Sequence, residues 1–433
     1  MLRDVKTLVA RTALATCLAS LAFVALACSS SKPTDAGSTS IPPGPTTFSL
    51  TSTIAGSSEA FKCTYVQMPA ADGFIIGGEH QYTPGSHHLL LYRTDLTAIP
   101  AGDASPNVGD CYATDQDYMS HIRGVVYPAA TPTGSMTMPA GVGLPYKANE
   151  IFLFQVHYLN AGAQTLNTEV HVHLDTQTTP VQQNAGVLFF YDPFIYVPQG
   201  AQGKAGQRCP IPKDITMFSE GSHYHARGVN YQAYLDTPTP DAPATTPFYT
   251  SQDWESPVIG KDTMQVKAGS YLRYYCDYDN TKGTQDFIQG QSAATNEMCM
   301  FIGLYYPAMD SADEQCGNGD QWGTGSVGCV DSLNCLQSCP AQGDLGPLGI
   351  GFNECTQKCF VDSCPDVSAP LIDLLNCIQT SCPACGQGMT DAGASSSAAN
   401  GGDAGASDCT SCVLTQCGSK YGTCTQTSCT ASQ

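Results

Sequence analysis

Nine histidines are spread over this 433-residue chain, and five of them fall in three short motifs. These are Ser86-His87-His88-Leu89-Leu90-Leu91, Gln155-Val156-His157-Tyr158 and Ser222-His223-Tyr224-His225. A fourth motif, Asn296-Glu297-Met298-Cys299, carries a thioether instead. Alternate residues of a strand point the same way, so His223 and His225 can grip one metal ion. Adjacent His87 and His88 point oppositely in a regular strand. Both reach one ion only where the strand bends or ends, so a third ligand such as His157 must come from elsewhere. Imidazole suits copper, zinc, iron and nickel, whereas a thioether such as Met298 is soft and favours Cu(I). A set of two histidines and one methionine therefore points to copper rather than zinc. His171-Val172-His173 has the same spacing as the third motif and is read as structural.

The elements that must position these groups read as strands. From about residue 46 to 308, apolar and β-branched runs alternate with Pro, Gly, Asn and Asp clusters. Examples are Phe74-Ile75-Ile76, His88 to Tyr92, Ile151 to Tyr158, Glu169 to Leu174, Val187 to Tyr191, Gly228 to Leu235, Tyr271 to Tyr275 and Met300 to Tyr306. No helical period shows here. Some 260 residues is long for one sandwich, so the expectation is an all-β core of two tandem antiparallel sandwiches, divided near Thr178-Thr179-Pro180. The expected bounds are 47–179 and 180–316.

After Pro307 the character changes. Of the 22 cysteines, 14 lie between Cys329 and Cys429. Cys335/Cys339 and Cys355/Cys359 have the i, i+4 spacing of one helix face, so two helices could be stapled face to face. Leu371 to Ile378 reads as another helix, with Pro370 at its start. The expectation is a small disulfide-rich, partly helical region: a module at 317–385, a Gly/Ser/Ala/Asp linker at 386–408 and a cysteine-rich tail at 409–433. Pieces this small need staples to hold a core. Cys382-x-x-Cys385 and Cys409-x-x-Cys412 also have zinc-ribbon spacing, but no matching histidine follows them.

Composition limits the partners. Charged residues make up 13% of the chain and its formal net charge is −20, so it repels nucleic acid. The N-terminus predicts export. Arg3, Lys6 and Arg11 precede an apolar stretch from Thr12 to Ala27, too short to be a typical membrane span. Val24-Ala25-Leu26-Ala27-Cys28 resembles a bacterial lipobox, with Ala25 where Leu is commoner. Residues 1–27 are thus expected to be a lipoprotein signal peptide, Cys28 the lipidated residue and 28–46 a Ser/Pro-rich tether. The protein would then sit on a bacterial membrane, the outer one by expectation, facing the periplasm or the cell surface. There, disulfides are the expected state of the cysteines.

The order and context of the four motifs raise their meaning. Ser-His-His-Leu-Leu-Leu-Tyr, then Gln-Val-His-Tyr, then His-Tyr-His, then Asn-Glu-Met-Cys before Leu304-Tyr305-Tyr306, resembles the type II, ascorbate-dependent copper monooxygenases, the peptidylglycine and dopamine β-monooxygenases. Met138-Pro139-Ala140-Gly141-Val142-Gly143 and the stretch from Cys276 to Met298 are similar as well. The resemblance spans roughly residues 47–316.

It implies two jelly-roll sandwiches whose coppers, two per chain, face each other across a solvent-filled cleft. His87, His88 and His157 would hold an electron-transfer copper, and His223, His225 and Met298 the catalytic one. Gln155 matches a residue near the first copper, thought to help connect the sites. Cys276 with Cys299, Cys63 with Cys111 and Cys209 with Cys316 would be disulfides. The implied reaction is hydroxylation of an unactivated C–H bond with O2, one oxygen atom leaving as water. Electrons would come from ascorbate or another one-electron reductant.

The substrate does not carry over. Peptidylglycine enzymes hold the substrate carboxylate with an Arg before the His-x-His motif and with Asn and Tyr after the Met. Here those places are Gly221, Met300 and Ile302, so the bidentate and hydrogen-bonding partners of a carboxylate are gone. A small, non-carboxylate substrate is expected. The competing reading is a non-catalytic copper-binding or adhesion lipoprotein whose cysteine-rich tail binds a protein partner.

Overall fold

The computed structural model describes residues 41, 43–100, 111, 121–238, 243–316, 319, 322–340, 353–382 and 411–430. The signal segment, Cys28, most of the tether and the whole of the 386–408 linker lie outside the described residues.

The described chain is mostly β and is built of several small sheets. The first sheet runs β1 (Thr47–Ile54), β9 (Leu166–Gln177), β3 (Gly73–Tyr82), β7 (Val142–Tyr146) and β10 (Gln183–Asn184), with β6 (Thr133–Thr137) also on β3. The second is β2 (Ser58–Gln67), β8 (Ile151–Asn160), β4 (Ser86–Thr94) and β5 (Ile122–Ala129). The third is β11 (Gly186–Tyr191), β20 (Cys299–Tyr306), β14 (Ile215–Tyr224) and β17 (Met264–Val266). The fourth is β13 (Gln202–Ile211), β18 (Ser270–Asp279), β15 (Gly228–Asp236) and β16 (Tyr249–Ser251). A short pair, β12 (Tyr196–Val197) and β19 (Phe287–Ile288), lies beside them. Among these strands all pairings are antiparallel except β10 on β7.

Two self-contained sandwiches are not what forms. The sheets read as a four-bladed, propeller-like arrangement. The reason lies in β8, where nine of ten residues are buried, so both faces of the second sheet are covered. On one face Phe152, Phe154, Val156 and Tyr158 join a core shared with the first sheet. That core also takes in Val187, Phe218 and Leu304 of the third sheet, so it is not closed between the first two sheets. A second core lies between the third and fourth sheets, around Tyr224, Tyr231, Tyr274 and Phe301. Burying each Leu or Phe of these cores contributes about 1.5–3 kcal/mol.

Disulfides brace the strands. Cys63 on β2 is joined to Cys111, Cys209 on β13 to Cys316, and Cys276 on β18 to Cys299 at the start of β20.

Past β20 the chain turns helical, starting with one turn at Ser311–Glu314. The helices Cys329–Ser338 and Glu354–Asp362 are stapled face to face by Cys335–Cys359 and Cys339–Cys355. The next helix is Pro365–Ser381, longer than the apolar run alone predicts. Pro365, at its first turn, starts it, whereas Pro370 sits inside. The two cysteine-rich pieces are not separate modules. Cys329–Cys424, Cys364–Cys429, Cys377–Cys417 and Cys382–Cys412 lock the last helix, Gly418–Gln426, onto the others around a third core. This module docks on the β region: Phe360 stacks on Phe194 at 3.9 Å, and Gln357 accepts from the Ile195 amide and donates to the Pro193 carbonyl.

Phe301 is fully buried, so Phe301→Ala is expected to lose about 3–5 kcal/mol in chemical denaturation. Val258→Ala, at a side chain 69% exposed, is expected to change stability by less than about 0.5 kcal/mol.

Candidate metal centre

The inner strands of the second and third sheets carry the histidines. At His87 the pairing of β4 with β8 slips: Ser86 faces Tyr158 and His88 faces His157, leaving His87 as the extra residue of a bulge. A bulge re-aims side chains. Here it lets two adjacent imidazoles meet on one side, with ring centroids 5.0 Å apart. His157, across the ladder, completes the set at 5.1 Å from His87 and 4.9 Å from His88. One ring nitrogen from each of the three lies within 4.8 Å of the others.

His223 is the last residue but one of β14, and His225 follows the strand's end. Tyr224 between them turns into the second core, so both histidines face the other way. Their rings are 5.2 Å apart. The two sets are not held across an open cleft. His88 and His223 are 4.7 Å apart and His87 and His223 5.6 Å, so five imidazoles form one contact cluster. None of the five is more than 8% exposed. Trp254, from the loop after β16, lies against His87 at 5.2 Å.

Each ring keeps one nitrogen without a partner: Nε2 of His87, Nδ1 of His88, Nδ1 of His157, Nε2 of His223 and Nε2 of His225. For two of them the tautomer follows from the other nitrogen. His157 Nε2–H donates to Glu59 Oε1 at 2.7 Å, and His225 Nδ1–H donates to the Asn296 carbonyl at 3.1 Å. The free nitrogen of each then bears a lone pair. Burial disfavours the charged forms: it pushes His87 and His225 down to about 3 and holds His88 and His223 well below the usual range. Burial would raise the Glu59 carboxyl, but donors from His157, Ser292 and Ala293 hold it at about 2. Partnerless buried nitrogens are costly and rare. Five at one spot, held neutral by burial and two of them directed by a carboxylate or a carbonyl behind them, fit a metal-ligand set.

Met298 enters from the segment before β20. Its neighbours fix that segment on both sides: Asn296 holds His225, and Cys299 pairs with Tyr224 while bonded to Cys276. Glu297 is fully buried, accepting from the backbone of His225 and Arg227 and from the Arg227 guanidinium. Tyr278 donates to the Met298 carbonyl at 2.7 Å. Met298 itself is 8% exposed. Nitrogen and thioether donors of this kind suit copper.

Gln155 is buried rather than facing solvent. It accepts from Tyr92 at 3.4 Å and lies on the His157 face of β8, one pleat away. The remaining histidines have other partners: His80 with Tyr127 and Thr131, His121 with Asp95, His171 with Ser49, and His173 with Thr47.

A cavity of about 630 Å³ opens beside the cluster, with His88 and His223 in its wall. Leu90, Met136, Met138, Phe189, Phe218, Ile259 and Leu304 make most of it apolar. Gly221, Met300 and Ile302 line it too. Among the described residues no arginine is in this wall, and its acidic or basic side chains other than histidine are Glu220 and Lys261.

Three contributors escaped the sequence reading. Glu59 and Trp254 sit in no motif. Arg227, two residues past His225, carried a signal only in its proximity to the motif.

Leucine at His223 would remove one orphaned nitrogen while keeping an apolar fill. His223→Leu is therefore expected to stabilise the metal-free chain by about 1 kcal/mol, read by chemical denaturation. In the presence of copper it is expected to lose the share of the stabilisation that the set containing His223 gives wild type, and to keep the share from His87, His88 and His157.

Among solved structures the likenesses are faint. They include the major capsid protein P2 from Bacteriophage PM2, at 10% identity over 61% of this chain and 97% of that chain, with a TM-score of 0.24. They also include the CBM22-1-CBM22-2 tandem domain from Paenibacillus barcinonensis Xyn10C, at 11% identity over 56% and 82%, with a TM-score of 0.16. Overlaps of this size carry no functional meaning. Residues 198–321, which bear His223, His225 and Met298, match the family model described as copper type II ascorbate-dependent monooxygenase, C-terminal domain, and this supports the copper type II monooxygenase family for the chain.

Proposed function

We propose that this protein is a copper-dependent monooxygenase that hydroxylates a C–H bond of a small, apolar, non-carboxylate molecule. The observation that carries the reading is the set of five partnerless imidazole nitrogens, two of whose rings, His88 and His223, reach the wall of an apolar cavity. His87, His88 and His157 would hold one copper, and His223, His225 and Met298 the other. Copper bound by these residues supplies one-electron redox chemistry and the activation of O2, with electrons from ascorbate or another reductant.

The chain's own residues do the rest. Glu59 and the Asn296 carbonyl keep the donor nitrogens of His157 and His225 deprotonated. The surrounding sheets exclude water from the cluster. Leu90, Phe189, Met300 and Ile302 offer apolar contact to a substrate reaching His88 and His223. At Gly221, Met300 and Ile302 a carboxylate would meet no donor side chain, so hydration lost there would go uncompensated, and among the described residues Lys261 is the one Lys or Arg of the wall. A non-catalytic copper carrier would have no use for this cavity. The disulfides support an exported protein, and lipid anchoring through Cys28 is part of the same proposal.

The test is O2 uptake by the purified, copper-loaded chain with ascorbate, tried against uncharged and carboxylate-bearing apolar compounds. Two coppers per chain and oxygen incorporation into an uncharged compound are expected. A chain that takes up no copper, or that binds copper and never consumes O2 with any reductant, contradicts the reading. Gly221→Arg should insert a guanidinium into the cavity, where a Cβ already meets Ile259 at 3.0 Å. It is expected to weaken binding of an apolar substrate by about tenfold or more, measured as KM, through lost volume and apolar area.

A further inference from the structure

Glu59 bonds to more than a single histidine. It lies on β2, in the second sheet, yet two of its partners belong to the segment leading into β20 of the third sheet. Its Oε1 accepts from His157 Nε2 and from the Ala293 amide, each at 2.7 Å, and its Oε2 accepts from the Ser292 hydroxyl. Ser292 in turn organises the segment that follows. Its hydroxyl accepts from the amides of Ala294 and Thr295, and its carbonyl accepts from the Asn296 amide at 2.8 Å. The Asn296 carbonyl then receives His225 Nδ1–H. Arg227 grips the same segment from its own half, donating to the carbonyls of Ala293 and Asn296.

An unbroken run of hydrogen bonds thus leads from the outer nitrogen of His157 to the outer nitrogen of His225, through the segment that delivers Met298. We propose that Glu59 is a positioning residue for both histidine sets, a latch that fixes the donor nitrogen of His157 and holds the Ser292–Met298 segment where His225 and Met298 can act. A glutamine there could not serve equally. Its amide nitrogen is a donor facing donors, so at least one of the three bonds is lost. The inference rests on the metal reading only for its affinity readout. Its geometric content stands on the protein alone.

The test uses the full chain. In the metal-free protein, hydrogen exchange at the Ala293 amide is expected to be slow in wild type and about tenfold or more faster in Glu59→Ala. Copper affinity of the second set is read in a His87→Ala/His88→Ala background, which disables the first set. There, Glu59→Ala is expected to lower affinity by about tenfold or more, the usual size of an outer-partner effect. Ser292→Ala leaves the His157–Glu59 bond in place and is expected to weaken the second set alone, with the first set's copper EPR signature unchanged. It also replaces Glu59→Ala should that variant fail to fold. Unchanged Ala293 exchange together with unchanged second-set affinity would overturn the latch and leave Glu59 serving only His157. If wild type binds no copper, the metal reading fails and the exchange experiment still decides the latch.

Discussion

An imidazole nitrogen buried without a hydrogen-bond partner is a state proteins avoid, and the structure concentrates five such atoms between its second and third sheets. The cluster is positioned by ordinary strand geometry. A one-residue bulge turns adjacent His87 and His88 to one side, the β4–β8 ladder sets His157 opposite, and the alternation of β14 sends His223 and His225 away from the core that Tyr224 enters. Strands β4 and β8 bury their other faces in the first core, and Tyr224 of β14 enters the second.

That arrangement also explains why the halves are not independent. Leu304 and Phe218 of the third sheet complete a core begun by the first two sheets, and Glu59 crosses from the second sheet to the segment before β20. Sheets covered on both faces leave no solvent-filled gap at the histidines. The apolar cavity beside them is the space that remains, and its size and lining bear on which molecules could reach the cluster.

The local part of this was legible in the sequence. The expected runs around His88, His157, Val187 and Met300 are strands, and the i, i+4 cysteines do staple two helices. The requirement that the chain bend at His87-His88 was readable because regular pleating forbids both rings on one side. What was not readable was long-range. Contact of His88 with His223 depends on how two sheets stack, which no spacing encodes. Glu59 carries no motif, since any carboxylate on the right pleat would serve. The joining of the two cysteine-rich pieces depended on a disulfide pairing that spacing does not fix. Pro370 misled because a proline usually marks a helix start, and Pro365 already supplied one.

The central claim is that these imidazoles and one thioether bind copper. X-ray absorption of the chain loaded with Cu(I) tests it most directly. The expected spectrum contains imidazole nitrogens and a sulfur scatterer, with the sulfur lost in Met298→Ile while copper at the His87, His88 and His157 set remains. A spectrum without a sulfur contribution in wild type, or one unchanged by Met298→Ile, would contradict the account.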